Sequence, residues 1–195
     1  MFLVAGLGNP GEEYAATPHN MGFLVVDRLA ARHSIRVTRK ECQALIGQGN
    51  IGGRQVLLAK PQTYMNLSGI AVKSLIEKNE IALSNFIAVY DDLDLPWGTL
   101  RIRPRGSPAG HNGARDIVAK LGTQQFTRIR LGAHPGHPLS SGADYLLSRF
   151  SRQQNETLDA FIDLGADAAE SIIAEGVEKS MTRFNGRAQS STTEE

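Results

Sequence analysis

The chain begins with a short apolar run and then alternates between strand-like and helix-like patterns. Residues 2–5 are apolar at every position, which predicts a short buried strand. From Asn20 onwards the apolar residues recur on one face of a helix, with polar residues on the other. The apolar face holds Met21, Leu24, Val25 and Leu29, and the polar face holds Asp27, Arg28 and Arg32. The first part of the chain therefore predicts a buried strand followed by an amphipathic helix.

A hairpin and a second helix are predicted next. Residues 44–60 have the pattern of two strands joined by a turn at Gly52 and Gly53. Ser68 then stands where an N-cap is expected, because a serine hydroxyl can accept a hydrogen bond from the first turn of a helix. The apolar positions of that helix include Ile70, Val72, Leu75 and Ile76.

The second half of the chain continues the alternation. Further strands are predicted over residues 86–90, 99–103 and 126–133. One further helix passes through Ile117, Val118 and Leu121 and ends at Gly122, and a long amphipathic helix holds Leu158, Phe161, Ile162, Gly165, Ala169, Ile172 and Ile173. Residues 133–142 contain too much proline and glycine for regular structure, so we expect a surface loop there that can act as a lid.

Length and composition indicate one globular domain. The chain has 195 residues, of which 41% are hydrophobic and 21% charged. No apolar run approaches the roughly 20 residues of a membrane helix, and the N-terminus lacks the pattern of a secretory signal. A single cysteine, Cys42, suits a reducing compartment. We expect a soluble cytoplasmic protein with no membrane association, comprising a domain of residues 1–185 and a polar, disordered tail of residues 186–195.

The net charge of +1 hides a strong asymmetry. Seven arginines and lysines between residues 99 and 130 are accompanied by a single acid, Asp116, whereas residues 151–195 carry four basic and nine acidic residues. A localised cationic region on a nearly neutral protein indicates a polyanionic partner.

Four of these arginines alternate with apolar residues on two predicted strands. Arg101 and Arg103 share one face of their strand, and Arg128 and Arg130 share one face of theirs. No glutamate is interleaved with them. Outward-facing guanidinium groups that bind phosphate are therefore favoured over an ordinary solvated sheet face.

The glycines near the N-terminus permit a cofactor interpretation. The spacing G-x-G-x-x-G of dinucleotide-binding loops is matched by Gly6, Gly8 and Gly11. Pro10, however, withholds one N–H from a phosphate loop, and Glu12 would repel a pyrophosphate. Asp27 follows the glycines at the sequence separation expected of an acid that binds the ribose, but it falls inside a helical pattern. The cofactor interpretation is the weaker one, and we expect no cofactor.

The chain offers the parts of a site that activates water. His19 is the natural general base, because the unperturbed pKa of histidine is roughly 6.5. Asp91 directly follows a predicted strand and is the candidate carboxylate to orient His19. Asn9, Asn66 and Asn112 lie in loops after strands, and their amides can hold the carbonyl and N–H of an amide or ester substrate. No serine lies in a G-x-S-x-G elbow, so activated water is the simplest nucleophile.

Two other classes of function remain open. Asp91, Asp92 and Asp94 offer oxygen ligands for a divalent metal of a phosphohydrolase or nuclease. Against this, residues 93–96 resemble a turn, and His134 and His137 lack the helical spacing of paired metal ligands. We therefore expect no metal. A non-catalytic RNA-binding module is the second alternative.

Five motifs stand in order along the chain. They are Gly6-Leu7-Gly8-Asn9-Pro10-Gly11 with Tyr14, His19-Asn20 with Gly22, Lys60-Pro61 with Thr63-Tyr64-Met65-Asn66-Leu67-Ser68-Gly69, Asp91-Asp92-Leu93-Asp94-Leu95-Pro96, and Gly110-His111-Asn112-Gly113. Together they resemble the bacterial-type peptidyl-tRNA hydrolase family, from about residue 2 to residue 184. One departure is Pro18, where the family often has arginine; a proline there restricts Thr17 to extended backbone.

The resemblance implies a monomeric α/β protein, a single domain with a twisted mixed β-sheet sandwiched between α-helices. It also implies hydrolysis of the ester between the peptide and the 3′ end of tRNA, which recycles tRNA from prematurely released chains. The partner would be peptidyl-tRNA, contacted at its acceptor stem, its 3′ end and the attached peptide. By the same resemblance, His19 is the base and Asp91 is its partner, and the substrate and water are placed by Asn9, Asn66 and Asn112. The resemblance adds four residues to the pocket, which are Tyr14, Tyr64, Met65 and His111. It also implies that Arg103 and Arg130 reach the tRNA phosphate.

Overall fold

A computed structural model describes residues 1–186 as a seven-stranded mixed β-sheet with helices on both faces. The strands are β1 (Phe2–Gly6), β2 (Arg39–Glu41), β3 (Ala44–Ile51), β4 (Arg54–Pro61), β5 (Phe86–Pro96), β6 (Leu100–Arg103) and β7 (Thr127–His134). The helices are α1 (Glu12–Ala15), α2 (Met21–Arg32), α3 (Ser68–Lys78), α4 (Asn112–Leu121), α5 (Gly142–Leu146), α6 (Arg152–Glu175) and α7 (Val177–Phe184). Apart from Gly186, the tail predicted over residues 186–195 lies outside the described residues.

The strand order is β2-β3-β4-β1-β5-β7-β6, which places β1 near the centre of the sheet. β1 is parallel to β4 on one side and to β5 on the other, and β7 is parallel to β5. Antiparallel pairing is confined to β2-β3-β4 at one edge and to β6-β7 at the other. The predicted mixed sheet between helices is therefore confirmed.

Each face of the sheet carries its own hydrophobic core. Val4 of β1 packs into the core shared with α2, α6 and α7. Its neighbours Leu3 and Ala5 pack into the core shared with α3 and α4. Because β1 is covered on both faces, it reads as a continuous apolar run and lacks the alternation of a half-exposed strand.

The N-terminal glycines serve close packing between β1 and α2. A Cβ atom on Gly6 would lie 2.0 Å from the carbonyl oxygen of Gly22, and one on Gly22 would lie 2.4 Å from the carbonyl oxygen of Val89. The start of α2 therefore lies directly against the end of β1 and against Val89 within β5. Asp27, the candidate ribose acid of the cofactor interpretation, instead forms an ion pair with Lys60 at 2.6 Å.

Two predicted boundaries are wrong. Ser68 is the first residue of α3 and not its N-cap, because the three residues before it already form a 3-10 turn and its Oγ donates to the carbonyl of Met65. β5 continues to Pro96, so residues 93–96 belong to a strand and not to a turn. The chain reverses only at Gly98, whose φ is +84°.

The C-terminal part contains the predicted long helix and elements that the pattern did not predict. α6 begins with a capping box in which Ser151 and Gln154 exchange side-chain and backbone hydrogen bonds. The predicted loop of residues 133–142 is shorter, because β7 extends to His134 and α5 begins at Gly142. α7, which was not predicted, packs Phe184 into the core. No helix of the described residues is long and apolar enough to cross a membrane.

Candidate active site

A cleft of about 550 Å³ opens beside the end of β1. Gly6, the last residue of β1, pairs with Val89, so β5 runs past its neighbour and carries Asp91 beyond that end. Predicted site residues that line the cleft are Asn9, His19, Tyr64, Met65, Asn66, Asp91, His111 and Asn112. Tyr14, Arg103 and Arg130 are not part of the lining. The prediction that Asp91 directly follows a strand is wrong, because β5 continues to Pro96. Asp91 borders the cleft because the neighbouring strand β1 ends at Gly6.

His19 and Asp91 form a hydrogen-bonded pair within this cleft. His19 Nδ1 lies 3.0 Å from Asp91 Oδ1 and 2.9 Å from Oδ2. An ionised carboxylate only accepts hydrogen bonds, so Nδ1 carries the hydrogen and Nε2 keeps its lone pair. Nε2 has no hydrogen-bond partner within residues 1–186, and 12% of the His19 side chain is exposed. This tautomer leaves a basic nitrogen available to a ligand in the cleft.

His111 approaches the same carboxylate but has both of its nitrogens occupied. Its Nδ1 accepts a hydrogen bond from the backbone N–H of Ala114 at 3.2 Å, which makes His111 the N-cap of α4. Its Nε2 therefore carries the hydrogen and donates to Asp91 Oδ1 at 3.0 Å. Of the two imidazoles, only that of His19 can take a proton from water without losing a structural hydrogen bond.

The protonation states of His19 and Asp91 are set by their contacts with each other and with His111. Burial acts to lower the pKa of His19, but the negative charge of Asp91 and the hydrogen bond to it raise that pKa above its ordinary value. Burial acts to raise the pKa of Asp91, but its interactions with His19 and His111 hold that pKa well below its usual range. Asp91 is therefore ionised at neutral pH, and an imidazolium at His19 is stabilised.

A 3-10 turn over Pro18–Asn20 presents His19 to the cleft. As expected before a proline, Thr17 is extended, with φ −125° and ψ 153°. Asn20 then holds Asn9 on both sides of its peptide backbone: Oδ1 accepts from Asn9 N and Nδ2 donates to Asn9 O, both at 2.9 Å. Sequence reasoning missed this role of Asn20, for which the only signal was its place next to His19.

The side chain of Asn9 is oriented by the segment before α3. Its Oδ1 accepts the backbone N–H of Met65 at 2.7 Å. Within residues 1–186 its Nδ2 has no hydrogen-bond partner, so this N–H pair is left for a ligand. Tyr64, next to Met65, has φ 61° and ψ 154°, a strained backbone conformation for a residue with a side chain. Such strain is common where a structure fixes a functional group.

The other two asparagines project from the starts of neighbouring helices. Asn66 lies in the 3-10 turn that leads into α3, and Asn112 is the first residue of α4; both are exposed at the cleft. Asp116 of α4 accepts the backbone N–H of Gly69 in α3 at 2.8 Å and so ties the two helix starts together. In the sequence, Asp116 stands out only as the single acid of a basic region.

The cleft also has an apolar wall that sequence reasoning did not predict. It is formed by Leu93 of β5 and by Ala143, Leu146 and Leu147 in and after α5. Leu147 is 43% exposed. Tyr14 lies on α1, outside the cleft lining.

The predicted row of outward-facing arginines is only partly present. Arg101 and Arg103 are half-buried on β6. Arg130 forms an ion pair with the buried carboxylate of Asp92. The expectation that Arg128 offers its guanidinium group to a phosphate is wrong, because Arg128 is 1% exposed and lies under the loop that precedes α4.

One group of side chains offers three metal-ligating atoms in the described part of the chain. It consists of His19, Asp91 and His111, whose ligand atoms lie within 4.8 Å of one another. By the tautomers above, the two nitrogens that face Asp91 carry hydrogens, which an ion would have to replace. The acids proposed as an alternative set do not converge, since Asp94 is exposed and Asp92 binds Arg130.

Comparisons with known proteins show the family of the chain. The family model described as "Peptidyl-tRNA hydrolase" matches residues 3–193. The chain is 57% identical to peptidyl-tRNA hydrolase of Solibacter usitatus over the full length of both, and 50% identical to that of Koribacter versatilis over 95% of this chain and 92% of the relative. The crystal structure of peptidyl-tRNA hydrolase from Acinetobacter baumannii superposes with a TM-score of 0.89 at 33% identity, covering 95% of each chain. From its sequence and its fold, this chain belongs to the peptidyl-tRNA hydrolase family.

Proposed function

We propose that the chain hydrolyses the ester bond between a peptide and the 3′ end of tRNA, with His19 as the general base and Asp91 as its partner. The observation that carries this proposal is the His19 Nδ1–Asp91 hydrogen bond, which leaves Nε2 as a free base inside a cleft lined by three asparagines. Family membership supplies the class of substrate.

The chemistry follows from the groups in the cleft. His19 Nε2 takes a proton from water, and the resulting hydroxide attacks the ester carbonyl. Amide N–H groups, including Nδ2 of Asn9, stabilise the negative charge that develops on the carbonyl oxygen. The tetrahedral intermediate then collapses, and the His19 imidazolium returns the proton to the leaving ribose oxygen. Asp91 stabilises the imidazolium while it exists.

The two parts of the substrate meet different surfaces. The exposed Tyr64 and the buried Met65 offer apolar contacts for the peptide within the cleft. Tyr14 of α1 is the further candidate for a substrate contact, although it does not line the cleft. Arg103 and Arg130 at the β6-β7 edge offer guanidinium groups for tRNA phosphate. A monomer that recycles tRNA from prematurely released chains is the corresponding biological role.

The test is hydrolysis of a peptidyl-tRNA in excess chelator by wild type and by His19→Ala. We expect full wild-type turnover in chelator and a loss of roughly 10²–10⁴-fold in the variant. The variant should still unfold cooperatively, with some loss of stability because the buried Asp91 keeps only the donor of His111. Activity measured well below its unfolding temperature separates lost chemistry from lost structure.

A second candidate is favoured by the His19, Asp91 and His111 cluster, which has the composition of a metal site. A metal-dependent phosphohydrolase would lose all activity in chelator. A non-catalytic RNA-binding module would retain tRNA without releasing the peptide. Near-normal ester hydrolysis by His19→Ala would rule out the proposed base.

A further inference from the structure

Arg128 of β7 is a buried guanidinium without a carboxylate partner. It is 1% exposed, and no carboxylate within residues 1–186 bonds to it. Its Nε has no hydrogen-bond partner in that part of the chain. Burying a charge without a counter-ion is costly, so an apolar residue of similar size would be the cheaper way to fill this space.

The guanidinium instead joins three separate segments. Nη1 donates to the carbonyl of Ser107 at 3.2 Å and lies 3.4 Å from Tyr90 Oη, and Nη2 donates to the carbonyl of Gln124 at 3.0 Å. The group also lies 4.2 Å from the centre of the Phe126 ring. A planar fork with several donors can reach such divergent acceptors, which a lysine or an apolar side chain cannot do.

Two of these acceptors bracket α4 and the loop before it. Ser107 precedes His111 by four residues, and Gln124 follows the end of α4. The backbone N–H of Gly106 also donates to the Gln124 carbonyl, at 3.4 Å, so the two ends of the segment of residues 106–124 meet at Arg128. This segment carries His111 and Asn112, which line the cleft.

Tyr90 provides a second route from Arg128 to the cleft. The ring centres of Tyr90 and His111 lie 4.7 Å apart, so a displaced Tyr90 would displace the imidazole that donates to Asp91. Both routes converge on His111.

We propose that Arg128 is a positioning residue that holds the loop of residues 106–112 so that His111 donates to Asp91 and Asn112 faces the substrate. This inference rests on the proposed function of His19 and Asp91. Arg128 itself touches neither water nor substrate.

The test compares Arg128→Met with wild type and with the exposed matched control Arg36→Met. Since methionine fills similar space without a buried charge, we expect the variant to fold. The kcat should fall by roughly 10–100-fold, because small displacements of positioning groups cost that much. The salt dependence of KM should stay near wild type, because Arg128 contacts no phosphate. Arg128→Lys, which can reach only some of the acceptors, should recover only part of the kcat.

The pH profile separates positioning from simple stability. The groups facing the His19 imidazole are Asp91 from β5 and His111 from the start of α4. Without the hydrogen bond from His111, Asp91 interacts more strongly with the His19 imidazolium, so the acid limb of the kcat profile should move to higher pH. Hydrogen exchange of the amides in residues 106–112 should also become faster, which is measured without turnover.

The inference is overturned if the kcat of Arg128→Met stays within about twofold of wild type, or if hydrogen exchange in residues 106–112 is unchanged. It is also overturned if only KM increases and its salt dependence becomes smaller, because Arg128 would then be a phosphate ligand. If Arg128→Met does not fold, the same measurements on Arg128→Lys decide. Failure of the proposed base is distinguishable, because it appears as retained activity in His19→Ala whatever the loop does.

Discussion

The imidazole rings of His19 and His111 lie 5.1 Å apart, and both donate to Asp91, but only His19 keeps a free nitrogen. The difference comes from the backbone N–H of Ala114, which occupies the second nitrogen of His111. One carboxylate therefore binds two histidines that differ in their hydrogen bonding. This difference supports the proposal that His19 transfers the proton while His111 supports Asp91.

The pH dependence of turnover should report the His19–Asp91 pair. Because only neutral His19 can accept a proton, kcat/KM should fall as the pH drops below the pKa of His19, with the midpoint above 6.5. Asp91→Asn removes the charge that raises this pKa while burial continues to lower it, so the midpoint should move to lower pH. Its maximal rate should also fall, because the tautomer is no longer fixed. A midpoint unchanged in Asp91→Asn would contradict the pairing.

Two substitutions of His111 should separate its two hydrogen bonds. His111→Ala loses the N-cap of α4, which we expect to lower the unfolding free energy by about 0.5–2 kcal/mol. His111→Asn restores a capping side chain but does not supply the imidazole N–H to Asp91. Both variants should raise the pKa of His19, since Asp91 loses a donor, while the alanine variant should lose more stability because it also loses the cap. Urea denaturation and pH profiles measure these effects, and equal stability of both variants would be inconsistent with the cap.

The two arginines proposed to bind phosphate should differ in their effect on stability. Arg103→Gln should weaken tRNA binding and reduce the slope of log affinity against log salt by about one, with little change in thermal stability. Arg130→Gln should also destabilise the fold, by about 1–3 kcal/mol or more, because it leaves the buried Asp92 without its partner. Binding at several salt concentrations and thermal unfolding provide the two measurements. A stable Arg130→Gln protein would show that the ion pair contributes little.

The sequence pattern was most informative where burial alone decides the structure. β1 is covered on both faces and leaves a continuous apolar run, whereas α2 has one apolar face and leaves a helical periodicity. The motif resemblance placed His19, Asn9 and Asn112 in one site because it carries spacing that no single element reveals. These three residues line one cleft because the fold brings their segments together.

The errors arose where distant parts of the chain override local signals. Residues 93–96 look like a turn, but pairing of Pro96 with His134 keeps them in β5. Ser68 has the chemistry of a cap, but a preceding 3-10 turn already starts the helix. Arg128 alternates with Ile129 as an exposed residue would, but the segments before and after α4 fold over it and bury it. Alternation states which side of a strand a residue is on, but not whether that side is covered.

His111 caps α4 and also donates a hydrogen bond to Asp91, so the first turn of α4 and the environment of that carboxylate are coupled. If that turn frays, the helix loses its cap and the carboxylate loses a donor in the same event. His19 would then bind its proton more tightly, so a locally opened molecule would hold its base in the inactive, protonated form at higher pH. Local opening at the start of α4 would therefore act on the protonation state of the proposed base as well as on the shape of the site.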